Sequence, residues 1–471
     1  MLFPTLDFAI FFFIVYSGAW GLRAYPQGRK LFLLAASYVF YGYWDARFVF
    51  LLGGSSLLSF FGGLALQAHA ASPRRQTVLL GLIAAHLGLL GYFKYMGFFL
   101  ETLSDLLQGL GLERELPVWE ILLPVGISFF TFQGISYLID VWRGRIAAET
   151  SVLDFTVYMA FFPHLVAGPI VRGAEFLPQL KGVVDPDSPL APRTGYALLL
   201  ILTGLFKKVV IASHVAVELV DPVFSEPDHY GGLDMLLAIY GYAVQIYCDF
   251  SAYSDMAIGI AALLGFYFPR NFNQPYRAAR LRDFWRRWHM TLSAWLRDYL
   301  YIPLGGNRGS PARTARNLLL TMGLGGIWHG AAWTFVVWGV LHGVALGLER
   351  RFLPQDAPAH GWRRWLAILG VFHFVCFAWI FFRAGNLEKV TAVMAGLTRW
   401  ATPLEVATPS VALLIALGLG SQFLPATTLD RLEILFNDLS PLERGALVGL
   451  GVVVINALGV SGVAPFIYFQ F

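Results

Sequence analysis

Long apolar segments alternate with short polar ones along almost the whole chain. An α-helix needs about 20 apolar residues to cross a hydrocarbon core. Runs near that length recur around residues 3–21, 31–49, 50–67, 76–99, 118–139, 152–171, 194–220, 232–267, 316–347, 363–383, 406–424 and 445–466. The pattern predicts an all-α, polytopic membrane protein with about eleven transmembrane helices.

Several of these apolar segments contain residues that interrupt a regular helix. Pro124, Pro163 and Pro169 interrupt apolar runs, and Lys207 and Lys208 split another. Such breaks are tolerated at membrane depth only where protein or a water-filled cavity covers the freed backbone groups. We therefore expect re-entrant or interfacial helices in addition to the spanning helices, rather than a simple up-and-down bundle.

Composition supports a membrane location for the whole chain. Hydrophobic residues make up 57% of the 471 positions, charged residues only 14%, and the mean hydropathy is +0.61. Soluble domains are far less apolar. No polar stretch is long enough to form a soluble catalytic module, so the sequence predicts one membrane-embedded domain over residues 1–471, with any chemistry inside the membrane body.

Positive charge is concentrated between residues 270 and 316, here called the arginine loop. This loop holds ten arginines, no lysine and two aspartates, a sum of +8 in a chain whose total is +4. Short basic loops face the cytoplasm, so we expect the arginine loop there and expect no nucleic-acid partner. The acidic segments around Glu113 and Glu115 and at residues 221–229 are expected to face outward.

An apolar stripe runs through the arginine loop. Its members recur at three- and four-residue steps, which predicts one helix about five turns long: Leu281, Phe284, Trp285, Trp288, Leu292, Trp295, Leu296 and Tyr299. His289 falls at the edge of this stripe, on the same flank as Ser293. The helix is either an interfacial anchor with a solvated histidine or a support for a functional one.

His329 lies within the apolar, small-residue segment GLGGIWHGAAWTFVVW, directly after Trp328. An ionisable side chain in such a run is costly and is a functional candidate by default. Imidazole also suits general-base chemistry near neutral pH. The alternative is a histidine that only hydrogen-bonds a neighbouring helix. His342, further along, could play either part.

A third group of polar residues lies in the apolar segment QIYCDFSAYSDMAIG, at residues 245–259. Asp249, Ser251, Tyr253, Ser254 and Asp255 are too polar to face lipid and should point into the bundle. They could line a tunnel or orient a catalytic histidine. They could equally form an internal hydrogen-bond network that fixes helix packing, which is also the reading we favour for His164.

Motifs of other enzyme classes are missing from the sequence. It contains no GxSxG, HExxH, Walker loop or dinucleotide fingerprint, and its two cysteines match no metal-ligand spacing, so no metal site is predicted.

Five ordered motifs resemble the membrane-bound O-acyltransferase family, and within it the branch that acetylates exported polysaccharides such as alginate. They lie between residues 120 and 348 and read VGISFFTFQGISYLID, FFPHLVAGPIVR, YCDFSAYSDMAIG, PRNFNQPYRAARLRDFWRRWHMTLSAWLRDYLYIPLGGNRG and RNLLLTMGLGGIWHGAAWTFVVWGVLHG. The resemblance implies a many-helix fold around a tunnel, with His329 at the family's signature histidine and His289 at its second active-site position. Relatives that acetylate peptidoglycan or transfer D-alanine share part of these motifs.

From these observations we expect acetyl transfer from a cytoplasmic thioester, such as acetyl-CoA, with no bound cofactor. His329 would be the general base, and His289 would orient the acyl carbonyl or donate to the oxyanion. The predicted supporting residues of the tunnel are Asp249, Ser251, Tyr253, Asp255, Trp328 and Ser293. The arginines expected to meet the donor's phosphates are Arg282, Arg286, Arg287, Arg297 and Arg308.

The expected partners are a polysaccharide acceptor or a relay protein, membrane lipid and, as the resemblance implies, a separate periplasmic acetyltransferase subunit in a bacterial inner membrane. Two other classes fit the residues. A transporter or flippase would also use buried carboxylates and broken helices, and a scaffold for a secretion complex would need no chemistry.

Overall fold

The computed structural model describes residues 1–112, 121–182, 194–353, 360–425 and 427–460, so Glu113 and Glu115 lie outside the described residues. Every regular element in these ranges is helical, which confirms the all-α prediction. Five described helices are long and apolar enough to cross a membrane, or six if the bent pair Pro409–Phe423 and Thr428–Asp438 is one span. A multi-pass membrane protein is thus confirmed, whereas the predicted number of about eleven spans is not.

The chain divides into two compact units, Met1–Pro192 with Leu264–Tyr267, and Arg193–Leu263 with Phe268–Phe471. The first unit contains helices α1 to α9: Leu6–Gly21, Pro26–Gly42, Arg47–Ala68, Arg75–Leu90, Met96–Gly109, Ile127–Trp142, Val152–Ala160, Phe162–Leu165 and Gly173–Leu180. A π-helical turn, Gly91–Tyr95, joins α4 to α5 into one long helix.

Aromatic side chains form much of the first unit's core. The rings of Phe8, Phe11, Phe40 and Phe162 pack with centroids 5.3 to 6.3 Å apart. The proline at position 163 lies in the four-residue helix α8, and the chain leaves helical geometry after it. The predicted apolar segment 152–171 is therefore two short helices followed by a non-helical stretch, rather than one span.

The second unit contains helices α10 to α22 and every residue predicted to belong to the site. Their bounds are Thr194–Leu205, Ser213–Val215, Asp221–Ser225, Gly232–Leu263, Leu281–Trp285, Met290–Leu296, Pro311–His329, Trp333–Phe352, Gly361–Ala384, Leu387–Gly396, Pro409–Gly420, Thr428–Asp438 and Pro441–Leu458. Three of these helices begin with a Ser or Thr cap followed by proline, at Ser310, Thr408 and Ser440. The hydroxyl accepts from a first-turn N–H, and proline fits the first helical position.

The sequence predicted that the lysine pair splits its apolar segment, and this prediction is wrong. The chain stays helical from Thr194 to Ser225 and passes through two π-helical turns, Phe206–Ala212 and Ala216–Val220. Lys207 and Lys208 lie in the first of these turns. Their charges are accommodated by carboxylates on α13, described below, so the backbone has no need to leave helical geometry.

Candidate active site

The stretch that carries His289 is two short helices, and the prediction of a single five-turn helix is wrong. Helix α14 ends at Trp285 and α15 begins at Met290, with His289 as the residue that precedes it. The backbone N–H of Asn273 donates to the Arg287 carbonyl at 2.9 Å, and that of Met290 donates to the Asn271 carbonyl at 2.8 Å. These bonds to a neighbouring extended segment replace the helical ones.

His289 itself is held in left-handed backbone geometry. Its φ is +41°, one of two positive values at non-glycine residues in the described part of the chain. This conformation costs a non-glycine residue about 1–2 kcal/mol, and such residues cluster at functional sites. The stripe around His289 is buried apart from a half-exposed Trp285, so the predicted apolar face is confirmed although the continuous helix is not.

The His289 ring lies in a closed pocket of side chains. Its residue is 0% exposed, and the ring of Phe250 on α13 meets it edge-on with centroids 4.6 Å apart. Burial lowers the pKa of His289 to about 3, because a charged ring would lose its hydration. A solvated interfacial histidine is thereby excluded.

His329 is the last residue of α16. The chain turns at Gly330 and starts α17 at Trp333, so the imidazole lies at a helix end rather than inside a span. It is 3% exposed, and its ring contacts those of Trp328, Trp338 and Phe382 with centroids 5.0 to 5.3 Å apart.

Trp328 brings the two histidines into one site. Its ring centroid lies 5.0 Å from that of His329 and 6.4 Å from that of His289. The two imidazoles, 40 positions apart in the sequence, therefore contact the same indole inside one compact unit. An apolar wall with two embedded imidazoles is suited to proton transfer away from bulk water.

Glycines allow α16 and α17 to approach closely behind His329. A Cβ on Gly339 would strike the Met322 carbonyl and lie 3.0 Å from the Gly323 Cα. Gly339→Ala is therefore expected to lower the stability of the folded protein by about 1–3 kcal/mol through overpacking. Thermal unfolding of purified protein measures the effect. Gly323→Ala is the matched control, because its Cβ would meet no atom within 4 Å; equal unfolding temperatures for the two variants would contradict the packing argument.

The polar residues of α13 gather around the two lysines. Lys208 pairs with Asp249 at 2.9 Å, with 1% and 3% of the two side chains exposed, and its ammonium lies 5.8 Å from the Tyr253 ring centroid. Lys207 donates to Ser251 at 2.8 Å and pairs with Asp255 at 2.5 Å. These side chains point inward, as predicted, and lysines of the π-helical turn are among their partners.

Ser254, a further residue of α13, is connected to His289 through the side chain of Asn271. Asn271 Nδ2 donates to Ser254 Oγ at 3.0 Å, and Asn271 Oδ1 lies 3.1 Å from His289 Nδ1. Ser293, predicted to support the site, donates instead to the Trp288 carbonyl at 3.3 Å. Asn271 was missed in the sequence because a single asparagine beside an arginine has no periodic signal.

The five arginines expected to bind the donor lie on several local elements. Arg286, Arg297 and Arg308 are exposed, whereas Arg282 and Arg287 are half-buried. The loop's own aspartates take two of them, since Asp283 pairs with Arg287 at 2.9 Å and Asp298 with Arg297 at 2.7 Å.

His342 belongs to the same aromatic surroundings. Its ring lies 4.8 Å from that of Trp338, and its Nδ1 accepts from the Trp285 indole N–H at 3.3 Å. Trp379 on α18 stacks on Trp338 at 5.8 Å. Nothing in the α18 sequence pattern distinguished this tryptophan from other core residues.

A surface cavity of about 330 Å³ lies elsewhere in the second unit. Polar residues of the 221–229 segment and of α19 line it, and none of the predicted site residues does. This cavity is therefore separate from the two histidines that contact Trp328.

Known proteins similar to this chain identify its family. Residues 143–388 match the family described as MBOAT, membrane-bound O-acyltransferase. A probable alginate O-acetylase of Pseudomonas aeruginosa is 41% identical over 394 residues, which cover 82% of this chain and 73% of that protein. A peptidoglycan O-acetyltransferase of Helicobacter pylori is 39% identical over 431 residues, covering 84% and 80%.

A teichoic acid D-alanyltransferase of Bacillus subtilis is more distant, at 29% identity over 280 residues, which cover 55% of this chain and 68% of that protein. The family match and the two nearer relatives together cover both histidines. The chain therefore belongs to the membrane-bound O-acyltransferase family and is a membrane O-acyltransferase.

Proposed function

We propose that this enzyme transfers an acetyl group from a thioester, such as acetyl-CoA, for the O-acetylation of an exported polysaccharide such as alginate. The observation that carries the proposal is the contact of His289 and His329 with the same Trp328 ring. The relatives named for alginate and peptidoglycan acetylation support acetyl as the acyl group.

His329 is the general base in this reaction. It takes the proton of an acceptor hydroxyl while the oxygen attacks the thioester carbonyl carbon. The new C–O bond forms, the C–S bond breaks, and the thiolate leaves and is protonated, so that one ester and one thiol replace one alcohol and one thioester. His289, which contacts the same Trp328 ring, acts on the same reacting group. Asp249, Ser251, Tyr253 and Asp255 support the polar side of α13.

The donor approaches from the cytoplasm, where the positive-inside rule places the arginine loop. Arg286 and Arg308 are exposed and are suited to charge-assisted bonds with phosphate. Arg282, Arg287 and Arg297 complete the donor-binding set, with Arg287 and Arg297 exchanging their aspartate partners for phosphate. The acceptor is reached from the outer face of a bacterial inner membrane, directly or through a separate periplasmic acetyltransferase.

The decisive experiment supplies purified protein in liposomes with radiolabelled acetyl-CoA and a soluble glycan acceptor. Release of free thiol together with label on the glycan or on the protein is the expected result. A transporter, a flippase or a secretion scaffold would consume no thioester, so intact acetyl-CoA after prolonged incubation would refute the proposal. A sample with heat-denatured protein controls for spontaneous hydrolysis.

The acceptor is identified by mass spectrometry of surface glycans from cells with and without this protein. Loss of acetyl groups from an exopolysaccharide is the expected outcome. Loss of acetyl groups from peptidoglycan, the substrate named for the Helicobacter pylori relative, would support acetyl transfer but identify peptidoglycan as the acceptor. Loss of D-alanyl esters would show that the enzyme transfers D-alanine instead of acetyl.

A further inference from the structure

The orientation of the Asn271 side-chain amide is determined by a group that can only donate, the backbone N–H of Thr291. The backbone N–H of Thr291 points at Asn271 Oδ1 at 3.3 Å, and the Thr291 hydroxyl donates to the same atom at 2.9 Å. A backbone N–H has no acceptor capacity, so the atom facing it must be the carbonyl oxygen. The amide nitrogen is then directed to Ser254 Oγ, which accepts from it at 3.0 Å.

That orientation also determines which nitrogen of His289 carries hydrogen. Asn271 Oδ1 lies 3.1 Å from His289 Nδ1, and a carbonyl oxygen can only accept. Nδ1 must therefore be the N–H of the ring. In a neutral imidazole the other nitrogen is then an acceptor with a free lone pair. His289 Nε2 is buried and has no hydrogen-bond partner among the described residues.

The backbone of Asn271 fixes the same histidine a second time. Its carbonyl accepts from the Met290 N–H at 2.8 Å, directly after the left-handed His289. Strained φ values persist only when surrounding contacts over-determine them. Side chain and main chain of one asparagine thus set both the tautomer and the position of the ring.

We propose that Asn271 is a positioning residue that holds His289 as its Nδ1–H tautomer, so that Nε2 accepts a hydrogen bond from an O–H or N–H group of a bound substrate. The inference rests on the proposed acetyl transfer. It decides between the roles available to His289, because a neutral ring with this tautomer cannot donate from Nε2 to an acyl carbonyl or oxyanion. The donating group is either the acceptor hydroxyl or an amide N–H in the arm of the thioester donor.

Kinetics of Asn271→Ala test the positioning role. We expect kcat to fall about a hundredfold, the order of loss when a reacting group is misplaced by about an ångström. A rise in KM for the glycan would identify the hydroxyl as the donating group, and a rise in KM for the thioester would identify the amide. Asn317→Ala is the matched control, since Asn317 is likewise buried in the second unit, at 0% exposed against 1% for Asn271, but its Nδ2 donates to the Gly306 carbonyl. Equal kcat and KM values for the two variants would overturn the proposal.

Asn271→Asp keeps an acceptor oxygen opposite Nδ1 and should recover most of the kcat lost in Asn271→Ala. If Asn271→Asp were no more active than Asn271→Ala, the proposal that Asn271 sets the tautomer of His289 would be contradicted.

The tautomer can be measured without any activity. Solid-state NMR of protein with ¹⁵N-labelled histidine, assigned by loss of the signal in His289→Gln, reports which ring nitrogen is protonated. We expect protonated Nδ1 and bare Nε2 in the wild type and in Asn271→Asp, and a mixture in Asn271→Ala. Protonated Nε2 in the wild type would overturn the inference, even if acetyl transfer is observed. The expected spectra with no acetyl transfer would instead refute the proposed function.

Discussion

Replacing His329 with alanine is expected to lower kcat for acetyl transfer about 10²- to 10⁴-fold, the contribution of a general base positioned in the transition state. The imidazole is 3% exposed at the end of α16, among Trp328, Trp338 and Phe382. Water cannot readily replace it in such apolar surroundings. Label transfer from acetyl-CoA by the purified variant measures the loss.

The control is a histidine of the same unit outside the aromatic surroundings. His214 lies in the short helix α11, and its Nδ1 bonds the Val210 carbonyl at 2.8 Å. His214→Ala should retain wild-type kcat. Both variants must be recovered from membranes in equal amounts, because a loss of insertion would lower activity without chemistry. Undiminished transfer by correctly inserted His329→Ala would remove the proposed base from the mechanism.

Periodicity predicted burial in the arginine loop better than it predicted backbone shape. The stripe from Leu281 to Tyr299 satisfies helical spacing, and nearly all of it is buried. The break between Trp285 and Met290 depends on hydrogen bonds to residues 271–273. A local pattern contains no information about such tertiary partners, which override helix propensity where they offer the backbone an alternative. The deviation lies at a candidate catalytic residue, where disagreement between local and global preferences is expected.

Pairing of the buried charges was also invisible to hydropathy. The sequence shows two lysines and two aspartates in apolar segments, so equal numbers of opposite charges could be expected to pair. Which lysine meets which aspartate depends on helix register over more than 40 positions. The π-helical turn Phe206–Ala212 changes that register, and no sequence rule used above predicts such turns.

The two candidate histidines, in contrast, could be selected from the sequence. An ionisable residue in an apolar, glycine-rich run is expensive unless it is used, and the resemblance pointed to the same two positions. Their shared contact with Trp328 could not be derived, because it needs the turn at Gly330 and the left-handed residue at 289 together. The sequence thus selects candidate residues, whereas their arrangement depends on tertiary contacts that it does not show.

Removing one partner of the buried ion pair between Lys208 of the π-helical turn and Asp249 of α13 is expected to destabilise the second unit strongly. Lys208→Met takes the ammonium away from a carboxylate that is only 3% exposed, at 2.9 Å in the intact pair. Breaking one side of a buried pair costs about 3–5 kcal/mol, whereas replacing both charges is often nearly neutral. We therefore expect Lys208→Met to unfold at a clearly lower temperature and Lys208→Met with Asp249→Asn to recover most of the loss.

Thermal or denaturant unfolding in a fixed detergent measures this double-mutant cycle. Arg47→Met is the matched control, because Arg47 pairs with Asp45 at 2.6 Å but its side chain is 76% exposed, and it should unfold like the wild type. A double variant as unstable as Lys208→Met would show that the lysine's packing matters more than its charge. Recovery of stability without recovery of acetyl transfer would assign the pair a second role, in keeping the polar face of α13 in place beside Ser254 and Asn271.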